Sequence, residues 1–177
     1  MEVASLSGEY KIRLGDEREL AHLQALERAA GIAFREVGMD EIADDDPPSV
    51  ATLQAYCRAE RMWVVTSQSD VALAYIIVDM VDGCGHIEQV SVHPDHAGQG
   101  LGRALIDQVD QWAKENDLSG LTLTTFLEVP WNAPYYRRLG FVDLEVSRLT
   151  PGLRAIREQE TTHGLDRWPR VAMFRAL

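Results

Sequence analysis

The stretch VSVHPDHAGQGLGRAL sets Gly98, Gly100 and Gly102 in alternation, after a strand-like run and before an amphipathic helix. Glycine permits backbone torsions and close approaches that a β-carbon hinders. A helix opening there presents unpaired N–H groups and the positive end of its dipole. An anion, typically a phosphate, is the natural guest of such a turn, although the same composition can serve chain reversal alone. The dinucleotide pattern GxGxxG does not occur, and the strands before the turn form no βαβ unit. No Gly-Lys-Ser/Thr follows, so the Walker pattern is missing too. Cys57 and Cys84 show neither CxxC nor a neighbouring histidine in ligand spacing, so neither a disulfide framework nor a metal site is indicated. Cys84 also lacks the His and Asp partners of a cysteine nucleophile.

The elements around this turn follow from periodicity. Residues 9–14 alternate as a strand, Asp16 can cap a helix carrying Leu20, Leu23 and Leu26, and Ser49 caps a second helix to about Glu60. Between them, residues 31–48 have the glycines, prolines and acidic run of a mobile loop with a short helix. Residues 61–67, 71–81 and 86–93 predict three strands of an antiparallel meander, ended by Pro94. Leu101, Leu105, Val109, Trp112 and Ala113 recur at helical spacing, and the helix should fray near Asn116. A strand follows at 120–126. Asn132 then stands as an N-cap before Pro134, starting a short helix that Gly140 closes. Residues 141–146 and 170–174 predict a final strand pair around a helix near 152–163.

The length, 177 residues, suits one domain over 1–177 with a real core. No apolar run is long enough to span a membrane, and MEVASLSGEYK has no secretory-signal pattern, so no membrane partner and a cytoplasmic location are expected. The net charge of −11 argues against nucleic acid, whose phosphates require Lys and Arg. A cationic small molecule or basic peptide suits it better, while an acidic surface can also serve solubility alone.

The segment Ala97-Gly98-Gln99-Gly100-Leu101-Gly102 resembles the cofactor motif of the GNAT superfamily of N-acetyltransferases, Arg/Gln-x-x-Gly-x-Gly/Ala at a strand-to-helix turn. Ala97 departs from the usual Arg or Gln, which removes a side-chain contact and leaves the backbone amides. A second block, WNAPYYRRLGF at 131–141, is similar to the family's Asn-x-x-x-(Phe/Tyr)-Tyr-x-x-x-Gly-Phe segment. The resemblance covers residues 61–146 well and the two ends only in layout. It implies an α/β (α+β) fold: a mixed, mostly antiparallel twisted sheet flanked by helices, with the strands at 86–93 and 120–126 splayed apart.

The resemblance further implies acetyl-CoA as cosubstrate, its pyrophosphate on Gly98, Gln99, Gly100, Leu101, Gly102 and Arg103. The pantetheine arm would pair with backbone at Val90 and Val92, and Asn132 would contact the cofactor. Direct acetyl transfer to a primary amine follows, without an acyl-enzyme. An alkylamine is mostly protonated at neutral pH, so a base is useful, and the departing thiolate needs an acid. Glu88 and His86 share a strand face and are the candidate bases, Glu88 first; either can also be structural. Ser91 could orient acceptor or water, and Phe34 and Glu36 could line an acceptor pocket. Tyr136 matches the family's acid-bearing tyrosine, with Tyr135 as competitor. The acceptor is a small amine or a peptide, and the family allows a homodimer. A protein N-terminal or lysine acetyltransferase and a non-catalytic acyl-CoA sensor are the alternatives.

Overall fold

The computed structural model describes residues 8–177; the first seven residues of the expected domain, with most of the segment read for a secretory signal, lie outside the described residues. In chain order the elements are β1 (Lys11–Leu14), α1 (Leu20–Gly31), α2 (Asp40–Ala43), α3 (Val50–Arg58), β2 (Met62–Thr66), β3 (Ala72–Val81), β4 (Cys84–Val92), α4 (Leu101–Glu115), β5 (Gly120–Phe126), α5 (Ala133–Arg138), β6 (Val142–Leu144), α6 (Pro151–Thr162) and β7 (Arg170–Ala176). The seven strands form one mixed, mostly antiparallel sheet flanked by helices, in the order β1-β2-β3-β4-β5-β7-β6. Among the described residues no helix is long and apolar enough to cross a membrane.

By its internal contacts the chain divides into two compact units. One runs up to Val78 and adds Gln89–Gln108; the other comprises Asp79–Glu88 and Val109–Leu177. In the first, β2 is buried at every position, and β3 nearly so over its first seven residues. Such unbroken apolar runs mark strands covered on both faces. Met62, Val64, Tyr75 and Ile77 meet Leu20, Leu23 and Leu26 of α1 and Leu53 of α3 in one apolar cluster. Asp16 and Glu19 form a reciprocal capping box on the 3-10 turn leading into α1, and Ser49 accepts from Thr52 N to start α3. Residues 31–48, expected as a mobile loop with a short helix, hold two short helical pieces: a 3-10 helix at Ile32–Val37, closed by Gly38 in the left-handed region, and α2.

In the second unit β5 pairs with β7 over its whole length, from Gly120↔Ala176 to Phe126↔Arg170, and β6 adds three further pairs on β7. The last strand before α6 is shorter than its apolar run implied, because the chain turns into a 3-10 helix at Val146–Arg148. α6 is started by Thr150, whose side chain accepts from Leu153 N, and by Pro151. The parallel ladder between β4 and β5 has only two pairs, Gly85↔Leu121 and His86↔Thr122. This is the splayed pairing expected of these two strands.

Candidate active site

The glycine turn lies in the first unit. β4 ends at Val92, His93 N donates to Leu73 O at 2.8 Å, and Pro94–His96 make a 3-10 turn. Gly98 and Gly100 then adopt φ of 75° and 78°, in the left-handed region that side chains with a β-carbon rarely enter. A β-carbon on either would meet no atom within 4 Å, so torsion, not crowding, requires glycine here, and the space beside the backbone is open. Gly100 O accepts from Ala104 N at 3.0 Å, which makes Gly100 the cap of α4. The amides of Leu101, Gly102 and Arg103 therefore fall in the first turn, where no carbonyl of the helix reaches them.

Gly102 corrects the sequence reading in one respect: it is helical, so only Gly98 and Gly100 carry the special torsions. Leu101 turns its side chain into the core and offers only backbone. The Arg103 guanidinium stands 3.8 Å from Asp107 one turn further on. Gln99 Oε1 accepts from the Tyr10 hydroxyl, and the Tyr10 ring meets His96 edge-on with centroids 6.3 Å apart. Tyr10 is thus a strut of the turn that no motif announces. On β4, Val90 and Val92 are half-buried around a buried Ser91, whose hydroxyl accepts from Gln89 Nε2 at 2.9 Å. Ser91 is occupied within its own strand. Phe34 is half-buried and Glu36 exposed on the 3-10 helix.

Glu88 and His86 lie in the second unit, on the same face of β4. His86 is enclosed, its side chain only 2% exposed, with Nδ1 2.9 Å from Thr122 Oγ1 on β5. Burial pushes its pKa below the ordinary imidazole value, against the pull of Asp79 and Glu160, so the ring is neutral. Glu88 stands beyond the last β4–β5 pair, its Oε2 3.8 Å from His86 Nε2. Its side chain is 48% exposed, so about half of it is withdrawn from water. That partial desolvation, with repulsion from Asp79 and Glu160, raises its carboxyl above the ordinary range, while Arg170 works in the opposite direction.

Around this face runs a polar network that periodicity did not reveal. Glu160 on α6 accepts from Thr124 Oγ1 and from Arg157, and Arg170 Nη2 donates to Glu160 Oε1 at 3.1 Å. Burial alone would lift the Glu160 carboxyl, but Arg170, Thr124 and Arg157 bring it below the usual value. The pair is enclosed, with side-chain exposures of 9% for Arg170 and 13% for Glu160. The alternation of Thr122 and Thr124 along β5 is the one sequence signal that places polar side chains on this face.

Tyr136 and Asn132 also belong to the second unit. α5 is short, and Asn132 sits at its N-cap position; its backbone oxygen accepts from Tyr136 N at 3.0 Å, but its side chain makes no cap. The capping role expected for the Asn132 side chain is therefore not the one found. Tyr136 is 8% exposed, with its ring edge-on to Tyr135 and to Phe141 at centroid distances of 5.4 and 5.9 Å. Burial, then the neighbouring Tyr135, lifts the Tyr136 phenol well above its ordinary pKa, so it keeps its proton at neutral pH. Tyr135 is half-buried and carries the Arg138 guanidinium over its ring at 5.8 Å. Of the two, Tyr136 is the buried phenol. Cys57 and Cys84 are free thiols whose pKa values burial raises, the opposite of an activated nucleophile.

Known proteins of similar sequence and fold identify the family. The family model described as the acetyltransferase (GNAT) family matches residues 23–141. The chain is 28% identical over 93 residues to an IAA acetyltransferase of Azospirillum brasilense, a match covering 51% of this chain and 61% of that protein. The chain thus spans less than two thirds of that relative's length. Among solved structures it is similar to the ribosomal-protein-S18-alanine N-acetyltransferase of Escherichia coli, with a TM-score of 0.64 and 20% identity over 94% of this chain and 93% of that one. It is also similar to the PaiA N-acetyltransferase of Thermoplasma acidophilum in complex with coenzyme A, with a TM-score of 0.67 and 11% identity over 95% and 99%. At these identities the structural likeness establishes the fold.

Proposed function

Because the chain belongs to the acetyltransferase (GNAT) family, we propose that it moves an acetyl group from acetyl-CoA directly to the nitrogen of a primary amine. The observation that carries this reading is the open, left-handed turn at Gly98 and Gly100 capping a 15-residue helix, whose free first-turn amides suit a pyrophosphate. Residues 98–103 would hold that group through backbone amides, Val90 and Val92 the pantetheine through backbone, and Asn132 would add a side-chain contact. Bound acetyl-CoA supplies a thioester, an electrophilic carbonyl joined to a thiolate leaving group.

The chain's own residues manage the protons. Glu88 accepts one from the acceptor ammonium, freeing the lone pair that attacks, and releases it to solvent. Its raised pKa brings its proton affinity nearer to what a base needs at neutral pH. Tyr136 gives its phenolic proton to the departing sulfur and regains one from the nitrogen as the amide forms. Each turnover thus converts an amine and a thioester into an amide and a thiol. The dry surroundings that keep the Tyr136 phenol protonated also raise the proton affinity of a thiolate beside it, so transfer between them is not opposed by their difference in water. High-pKa thiols at Cys57 and Cys84 favour direct transfer over an acyl-cysteine.

The acceptor we propose is a small cationic amine, in keeping with the net charge of −11. The test is a screen for free CoA thiol released from acetyl-CoA in the presence of polyamines, aminoglycosides, amino acids and short peptides. Release with cationic amines supports the reading. Turnover of peptides alone moves the acceptor to protein termini or lysines, and binding of acetyl-CoA without release in any mixture makes the protein a sensor.

A further inference from the structure

A buried histidine needs a partner at both ring nitrogens, and in His86 the two ends constrain one another. Nδ1 is 2.9 Å from Thr122 Oγ1, a hydroxyl that can donate or accept. Nε2 faces Glu88 Oε2 at 3.8 Å. The neutral ring carries a single N–H. With that hydrogen on Nδ1, the lone pair of Nε2 would confront a carboxylate. With it on Nε2, the N–H points its positive end at the carboxylate and the Nδ1 lone pair accepts from Thr122. With Glu88 ionised, only the second arrangement leaves every group satisfied.

We propose that Thr122 and His86 form a positioning pair for Glu88: the Thr122 O–H donates to His86 Nδ1, fixing the Nε2–H tautomer, and that N–H holds the Glu88 carboxylate in place. The inference rests on the reading of Glu88 as the base. At 3.8 Å the last contact is longer than a direct hydrogen bond, and it closes through one water or by contraction when the acceptor binds. The geometry is set where the sheet is still paired, since His86↔Thr122 is the final rung of the β4–β5 ladder and Glu88 the next residue on that face. The other charged groups acting on the pair are Asp79 on β3, Glu160 on α6 and Arg170 on β7. The two carboxylates favour protonation of both side chains. Burial opposes it at His86 and keeps the ring neutral, as the single N–H requires.

The experiment needs no acceptor. In protein labelled with ¹⁵N-histidine, long-range ¹H–¹⁵N spectra at pH 7 report the tautomer of each ring, and the His86 signals are those lost in His86→Gln. The expected result is Nε2–H in the wild type, a mixture of tautomers in Thr122→Val, and return to Nε2–H in Thr122→Ser. In ¹³C-glutamate protein, with the Glu88 signal assigned by its loss in Glu88→Gln, the Glu88 titration midpoint should rise by about half a pH unit in His86→Phe, the scale of one partial hydrogen bond to a carboxylate. Should His86→Phe fail to fold, Thr122→Val should raise the midpoint in the same direction by a smaller amount, since part of the ring keeps its Nε2–H. A wild-type Nδ1–H tautomer, or a Glu88 midpoint indifferent to these variants, overturns the proposal. Failure of the base reading is separate: it would appear as unchanged turnover in Glu88→Gln with the tautomer as expected.

Discussion

The imidazole of His86 and the carboxylate of Glu88 face one another at 3.8 Å from opposite sides of an environmental boundary, the ring enclosed and the carboxylate half open to water. Strand alternation alone would put the two side chains in equivalent places. They differ because β5 pairs with β4 at His86 and not beyond it, so one residue is sealed between strands and the other stands past the last rung. The boundary depresses the histidine pKa and raises that of the glutamate, the division that the proposed roles of a neutral support and a base call for.

Glu88→Gln should lower kcat by about 10²-fold or more, within the range for loss of a general base, and leave acetyl-CoA affinity unchanged. In the wild type the acid limb of the pH–rate profile should fall above the ordinary carboxylate range, as the raised pKa of Glu88 requires. Initial rates across pH, with calorimetry of acetyl-CoA binding, check both.

The same shift has a stability consequence. A carboxyl with a folded pKa above its unfolded value favours the folded state fully only below the unfolded pKa, and that contribution is lost as pH rises through the folded pKa. Glu88→Gln, which imitates the protonated form, should therefore melt higher than wild type at pH 7. The difference should vanish as pH drops below the ordinary carboxylate range, where both proteins are uncharged at this position. A lower melting temperature at pH 7 would show that Glu88 stabilises the fold.

Gly100→Val forces a β-branched residue to a φ of 78° at the cap of α4. Strain of about 1–3 kcal/mol and a displaced turn should weaken acetyl-CoA binding by at least about tenfold while circular dichroism shows a folded chain. Unchanged affinity by calorimetry would move the pyrophosphate elsewhere.

Tyr136→Phe keeps the ring against Tyr135 and Phe141 and removes only the proton donor, so turnover should fall about 10²-fold at unchanged melting temperature. Tyr135→Phe should stay within about threefold of wild type, acid catalysis by a positioned group being worth far more than that. Reversal of the two would assign the acid to Tyr135.

Most of this arrangement was legible in the sequence, and the exceptions have physical causes. The alternating glycines, the Ser49 cap and the boundaries of β5 are local properties, carried by torsion, side-chain capping and strand periodicity. What escaped was long-range. Tyr10 reaches Gln99 across 89 residues and Glu160 reaches Thr124 across 36, and neither spacing has a period to betray it. Trp112, in the helical spacing of the apolar stripe, is half-buried, while Ala104 and Ile106, outside that spacing, join the buried face of α4. The apolar stripe is wider than one residue per turn, and an indole at its margin stays partly in solvent. Asn132 was placed correctly at a helix start, but its side chain leaves the capping position.

Direct transfer of acetyl from acetyl-CoA to an amine nitrogen can be followed in a single-turnover experiment with ¹³C-acetyl-CoA and excess acceptor amine, quenched and weighed by mass spectrometry. N-acetyl amine and free CoA should appear in equal amounts at the same rate, with no acetyl on the protein at any time and both products slowed together in Glu88→Gln. Acetyl found on Cys57, Cys84 or another residue before the amide forms, or CoA released without N-acetyl amine, would contradict it.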